Sequence, residues 1–222
     1  MGFKLTDSYM ELGNFKYFRM NANLLKPGTF GEKRDPFGAK SWIDPHGDVK
    51  VEYLAGRAKG TGVEAIDWSQ TNKNDFGVNT ILTFFGLNGK VSANGTFETV
   101  KNAKLKLASF SIAENPLKDM LNTDAGTARK DLADEGDNGR IVSQCWVGME
   151  VELADHFATY GQGGASAKAA GSELQISASG GKYGTQTISI SPGTTFAYAT
   201  SKVTNWKNSK TWIDDMKGDY HS

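Results

Sequence analysis

Gln144-Cys-Trp-Val-Gly-Met-Glu-Val-Glu-Leu-Ala154 and Gly164-Ala-Ser-Ala-Lys-Ala-Ala-Gly-Ser-Glu-Leu-Gln-Ile-Ser-Ala178 decide how this chain is read. In the first stretch Cys145, Val147, Met149, Val151 and Leu153 alternate with Gln144, Trp146, Gly148, Glu150 and Glu152, the period of a strand with one apolar and one wet face. The second alternates with a change of parity, from Ala165, Ala167 and Ala169 to Leu174, Ile176 and Ala178. That change places a bulge near Ala170-Gly171-Ser172. Between the two, His156 to Gly164 is glycine-rich and marks a tip. The expectation is one long hairpin over residues 144 to 178. Its alanine, serine and glycine side chains bury little apolar area, and the free energy of burial scales with that area. Each arm has about the ~9 to 11 residues of a strand tilted across a bilayer. The competing reading is an ordinary sandwich hairpin with one solvated face.

The remaining chain supports a β-rich protein. It has 222 residues with 26 glycines, and its 25 basic and 25 acidic side chains cancel. That balance argues against a dedicated nucleic-acid binder, which carries a basic excess. One cysteine, Cys145, forbids an internal disulfide and points to a reducing compartment. No apolar run reaches the ~20 residues of a membrane-spanning helix, so contact with a membrane is expected through strands or from the surface.

In chain order, Phe15 to Leu24 reads as a first or edge strand after the break at Gly13, and residues 26 to 48 read as a long loop built on Lys-Pro-Gly, Asp-Pro-Phe-Gly and Asp-Pro-His-Gly-Asp turns. Lys33, Arg34 and Lys40 stand beside Phe37 and Trp42 there; the combination suits a lipid headgroup interface, although exposed loop residues are commoner. Asp44-Pro-His-Gly-Asp48 offers a histidine between two aspartates but lacks the further ligands of a metal site, and reads as a turn. Val49 to Leu54 alternates as a strand, and residues 56 to 78 form a connection anchored by Ile66 and Trp68. Strands over 80 to 87 and 90 to 99 flank Asn88-Gly89, the strongest short hairpin signal. Leucines and lysines then alternate from Ala103 to Leu107, setting Lys101, Lys104 and Lys106 along one face.

Two short helices are expected at 114 to 122 and 123 to 135, with Pro116 in a first turn and Thr123 or Asp124 as a cap. Strands follow at 185 to 190 and 195 to 198. Residues 205 to 222 read as a polar tail on a single domain over 1 to 204. In that tail Trp206, Trp212, Ile213 and Met216 are spaced for a small amphipathic helix that docks on the body and holds a resting state. The fold class is therefore α+β: a twisted antiparallel sheet with long hairpins and a few short helices.

Catalytic patterns are not met. Gly161-Gln-Gly-Gly-Ala-Ser166 ends in serine where a dinucleotide fingerprint needs its last glycine, and Tyr183 follows Gly181-Lys182 where a phosphate loop needs Ser or Thr. Ser179-Gly-Gly-Lys182 has Ser-x-x-Lys spacing on a flexible turn, a poor place to hold a base against a nucleophile. No enzyme, cofactor or metal is expected.

Gly95-Thr-Phe-Glu-Thr-Val-Lys-Asn-Ala-Lys-Leu-Lys-Leu107 resembles the Gly-Thr-hydrophobic-Glu-Thr segment of the gasdermin family of pore-forming proteins, and Ser191-Pro-Gly-Thr-Thr-Phe-Ala-Tyr198 resembles the strand near the end of their pore-forming domain. The order of elements over about residues 49 to 203 is also similar. The chain departs from the animal members in having no clear basic first helix and no helical repressor domain, and from the bacterial ones in lacking a cysteine near the N-terminus. What the resemblance implies is a protein that rests in the cytoplasm, binds anionic lipid at the cell membrane and assembles with itself, or with a related chain, into a ring that causes regulated cell death. Membrane hairpins would come from residues 80 to 112 and 144 to 178. Val147, Met149, Val151, Leu153, Leu174 and Ile176 would face lipid, and Lys33, Arg34, Lys101, Lys104 and Lys106 would meet headgroups. The rival from another class is a soluble β-rich binding or assembly module.

Overall fold

A computed structural model describes residues 3–6, 8–36, 40–66, 105–164, 166–170, 173–190 and 194–221. The strands expected at 80 to 99, together with Trp68, Lys101 and Lys104, lie outside the described residues.

The centre of the molecule is β8 (Gly139–Glu150), which is hydrogen-bonded along both edges. One edge takes β12 (Thr195–Lys207), from Thr195 opposite Val147 to Ser201 opposite Ile141. The other is shared by β4 (Thr29–Arg34), beside Gly139 to Ile141, and β7 (Leu105–Ile112), beside Gln144 to Glu150. β5 (Trp42–Asp48) extends the sheet beyond β4, and β6 (Ala58–Ala65) extends it beyond β7. Past β12 lie β3 (Phe15–Phe18), β2 (Tyr9–Leu12) and β1 (Phe3–Leu5), with β13 (Trp212–Asp219) on the end of the same edge. All of these ladders are antiparallel. Glycine is required where backbones close up: a Cβ on Gly31 would stand 2.0 Å from the Asp44 carbonyl oxygen, and one on Gly139 2.7 Å from that of Leu132.

A separate three-stranded antiparallel sheet consists of β9 (Ser166–Ala170), β10 (Glu173–Ser179) and β11 (Thr185–Ile190). Helices α1 (Val51–Leu54) and α4 (Val151–Gly164) pack between it and the large sheet. On the large sheet, α2 (Glu114–Thr123) buries Leu117, Met120 and Leu121 against β13, and α3 (Gly126–Glu135) buries Ala128 and Leu132 over β4 and β8. Their residues join Phe110, Ile141, Val147, Met149, Leu174, Ile176, Ile213 and Met216 in the largest apolar cluster.

The α+β class and the two helices at 114 to 135 agree with the sequence, as do strands β7, β8, β11 and β12. Several local expectations are corrected. Residues 144 to 178 are not one hairpin, because α4 occupies the supposed tip and the last four residues of the first arm. The small-residue stretch is not one arm: β9 and β10 pair antiparallel with Ala170 opposite Glu173, while Gly171 and Ser172 of the expected bulge lie outside the described residues. Residues 29 to 34 and 42 to 48 form a strand pair where a loop is expected, residues 51 to 54 are helical, and residues 58 to 65 are a strand within the expected connection. Thr123 does not cap α3; its hydroxyl donates back to the Asp119 carbonyl at 2.8 Å. The tail expected to be helical is β13, and the 204/205 boundary falls inside β12. The supposedly wet face of β8 carries Trp146, which is buried with its ring edge-on to Tyr17, because a central strand is covered on both sides.

Candidate functional site

Strand β8 passes into α4 without a connecting residue, Glu150 closing one and Val151 opening the other. The strand side is fixed by ladder bonds to β7, with Leu105 opposite Glu150 and Lys106 opposite Met149. Helix α4 lies against β6, β7 and β10. It buries Ala154, His156 and Phe157, partly buries Leu153, and exposes Glu152 and Asp155. The Phe157 ring stands edge-on to Phe110 at 5.9 Å. His156 places its Nε2 3.2 Å from the Ala178 carbonyl oxygen, tying α4 to β10. Lys106 on β7 pairs with Asp155 at 2.5 Å, tying α4 to the large sheet.

Two periods overlap in this segment. Val147, Met149, Val151 and Leu153 continue one strand parity through the junction, while Ala154 and Phe157 carry the helical spacing. The last turn contains Gly161, Gly163 and Gly164, each disfavoured in a helix by up to ~1 kcal/mol relative to alanine. What holds α4 helical is therefore tertiary packing rather than intrinsic preference.

The residues expected to face lipid are gathered here. Val147, Met149, Leu174 and Ile176 are 0 to 7% exposed and form core between the sheets, while Val151 and Leu153 are half-buried in the first turn of α4. Among the described residues, the basic ones are not brought together. Lys33 is largely buried and lies 3.5 Å from both Asp35 and Asp219; Arg34 pairs with Glu32 and Asp44; Lys106 sits on β7, which borders the opposite end of β8 from β4. Of the tail residues, Ile213 and Met216 are core, Trp206 packs against it and Trp212 is 44% exposed.

A groove of about 620 Å³ opens on the opposite face, lined by Phe15, Tyr17, Thr61, Glu64, Gln144 and Trp146 among others. Burial first, with the neighbouring Tyr220 and Glu64, raises the Tyr17 pKa against the lowering hydrogen bonds of Trp146 and Gln144. Its lining comes from β2, β3, β6, β7 and β8, strands far apart in the chain, so no local spacing marks it.

No described helix is long and apolar enough to cross a membrane. No family model matches this chain, and no curated protein or solved structure does.

Proposed function

We propose that this chain is a membrane pore-forming protein of gasdermin type, which binds anionic lipid, assembles with copies of itself and converts the β8–α4–β9–β10 segment into bilayer-crossing strands. One observation carries the reading: α4 has a strand's apolar alternation at its start and three glycines at its end, and it follows β8 with no intervening loop. A helix whose local preference conflicts with its context is a candidate for a second conformation. In lipid, unpaired backbone groups cost several kcal/mol each, so the strands must close into a barrel of many chains. The alternating side chains then face lipid on one side and water on the other. The burial of Val147, Met149, Leu174 and Ile176 equally suits a β-rich binding or assembly module that never leaves this state.

Release of dye from liposomes rich in anionic lipid separates the two. The pore reading expects leakage by the full chain and its abolition by Val151→Asp with Leu153→Asp, since a charge on the lipid face is destabilising, by ~2 to 4 kcal/mol for a basic residue at the midplane and by less for an acidic one, and the two charges recur in every protomer. Both residues are half-buried, so the variant is expected to keep its fold. Gly161→Ala with Gly163→Ala is expected to stabilise α4 by up to ~2 kcal/mol and to slow leakage. Undiminished leakage by the double Asp variant removes this segment from the pore. A full chain that leaves such vesicles intact under every tested pH and salt condition favours the module.

A further inference from the structure

Asp44-Pro-His-Gly-Asp48, short of ligands as a sequence, gains them from the fold. It lies on β5, not in a turn, and brings His46 beside β4 and α3. The ligand atoms of Glu32 on β4, His46 on β5 and Glu135 on α3 all fall within 4.8 Å of one another. Behind the imidazole, Asp131 places Oδ1 3.0 Å from His46 Nδ1. Its other oxygen, Oδ2, is fully enclosed and has no hydrogen-bond partner among the described residues. A buried carboxylate oxygen without a donor is costly unless a cation faces it. The opposing charge in reach is Arg34, 2.9 Å from Glu32 and 3.5 Å from Asp44. Four carboxylates thus face one guanidinium and an imidazole, an excess of negative charge that a dication offsets.

We propose that Glu32, His46 and Glu135 form a binding site for a zinc-class divalent cation, which clasps the β4–β5 pair to α3. The chemistry fits the donors. One imidazole and two carboxylates, with water in the remaining position, suit zinc, whose bonds to nitrogen and oxygen are ~2.0 to 2.2 Å. The three side chains must draw together by about an ångström or more to reach that geometry, which the long, partly exposed glutamates allow. The imidazole disfavours magnesium and calcium, which take oxygen ligands. Asp131 is a positioning residue: it holds Nδ1 at 3.0 Å, and since Glu135 Oε1 also stands 3.8 Å from that same nitrogen, the ring must turn its free Nε2 toward the two glutamates as the ion enters, which gives the usual carboxylate–histidine arrangement. The site stands apart from α4 and is independent of the pore reading.

The test is titration of the full chain, stripped with a chelator, with zinc chloride in a calorimeter, and with cobalt(II) followed by visible absorption. The expected result is one ion per chain and intense cobalt bands of a low-symmetry site. His46→Ala and Glu135→Gln are each expected to lose the bands and weaken zinc binding by about tenfold or more, Asp131→Asn to weaken it ~10 to 100-fold, and His221→Ala to bind as the parent does. Circular dichroism of each metal-free variant confirms that it is folded; should His46→Ala not fold, Glu135→Gln on the helix surface gives the reading. Zinc uptake that is absent, or equal in the parent, His46→Ala and Glu135→Gln, overturns the proposal, as does uptake lost with His221→Ala alone.

Discussion

Cys145 lies at the middle of β8 and is fully buried, which pushes its thiol up to about 12 despite a hydrogen bond with Thr195 that lowers it. The thiolate is the reactive species. Native protein is therefore expected to resist an aromatic disulfide reagent at pH 8 and to react once denatured; stoichiometric labelling of the folded chain would contradict the packing of β8 against β12. Arg140 and Asp219 form the other informative pair. The guanidinium is 5% exposed and its Nε lies 2.7 Å from the carboxylate, with Lys33 at 3.5 Å. Burial alone would raise the Asp219 pKa, but the hydrogen bond and charge of Arg140, joined by Lys33, hold it below the ordinary carboxylate range. A depressed pKa adds stability above the unfolded value of ~3.9, and that increment is lost as pH falls through the folded value. Asp219→Asn is expected to cost ~3 kcal/mol near neutrality by stranding a buried charge. Denaturant midpoints should show the gap between variant and parent narrowing in acid; a gap independent of pH would remove the ion pair as its cause.

Strand β13 illustrates why some elements escape the sequence. Ile213 and Met216 are three apart, as on a helix, yet both are buried from a strand. The irregular ladder explains it: Ile213 faces Trp206, Asp215 faces Asn205 and Met216 faces Val203, so residues slip on both strands between the two anchors. A bulge of this kind erases period two. Strand β5 was hidden for a different reason, since Pro45 and Gly47 read as a turn, although a proline is tolerated on an edge strand and β5 pairs only with β4 among the described strands. By contrast β7 and β8 alternate cleanly, and Leu117, Met120 and Leu121 carry the helical spacing of α2, so these elements were legible. The expected lipid-facing set was legible as apolar but not as core, because alternation says which face is apolar and not what covers it. The edge of β13 is closed by Asn122 of α2, whose Nδ2 donates to the Ile213 carbonyl at 2.9 Å and whose Oδ1 accepts from the Ile213 amide at 2.8 Å. Removing both bonds with Asn122→Ala is expected to cost ~1 to 3 kcal/mol, and Ile213→Ala ~2 to 5 kcal/mol, both measurable by chemical denaturation. A chain ending at Thr204 loses β13 and the end of β12, and is expected to lose its cooperative transition; retention of a parent-like melt would show that β13 is dispensable.

At the scale of the molecule, the two sheets share no backbone ladder among the described strands and meet through α1, α4 and the approach of β6 to β9 and β10. Amides of β8, bonded on both edges, are expected to exchange with deuterium last, and those of α4 and β9 well before global unfolding, since regions held by fewer long-range bonds open locally at lower free energy. Equal protection of α4 and β8 would weigh against an easily released helix and so against the pore reading. The same central strand has a consequence for the order in which the chain is made. β4 and β7 precede β8, but β12 begins 45 residues after β8 ends, at Thr195 against Glu150. At the ~5 to 20 residues per second of synthesis, the second edge of β8 waits roughly 2 to 9 s after the strand itself is complete. The N-terminal β1–β2–β3 unit waits longest, because its ladder connection to the sheet runs through β12. A nascent chain is thus an open sheet with one bare edge until β12 appears, and its protection from mispairing with neighbouring copies depends on whatever occupies that edge in the meantime.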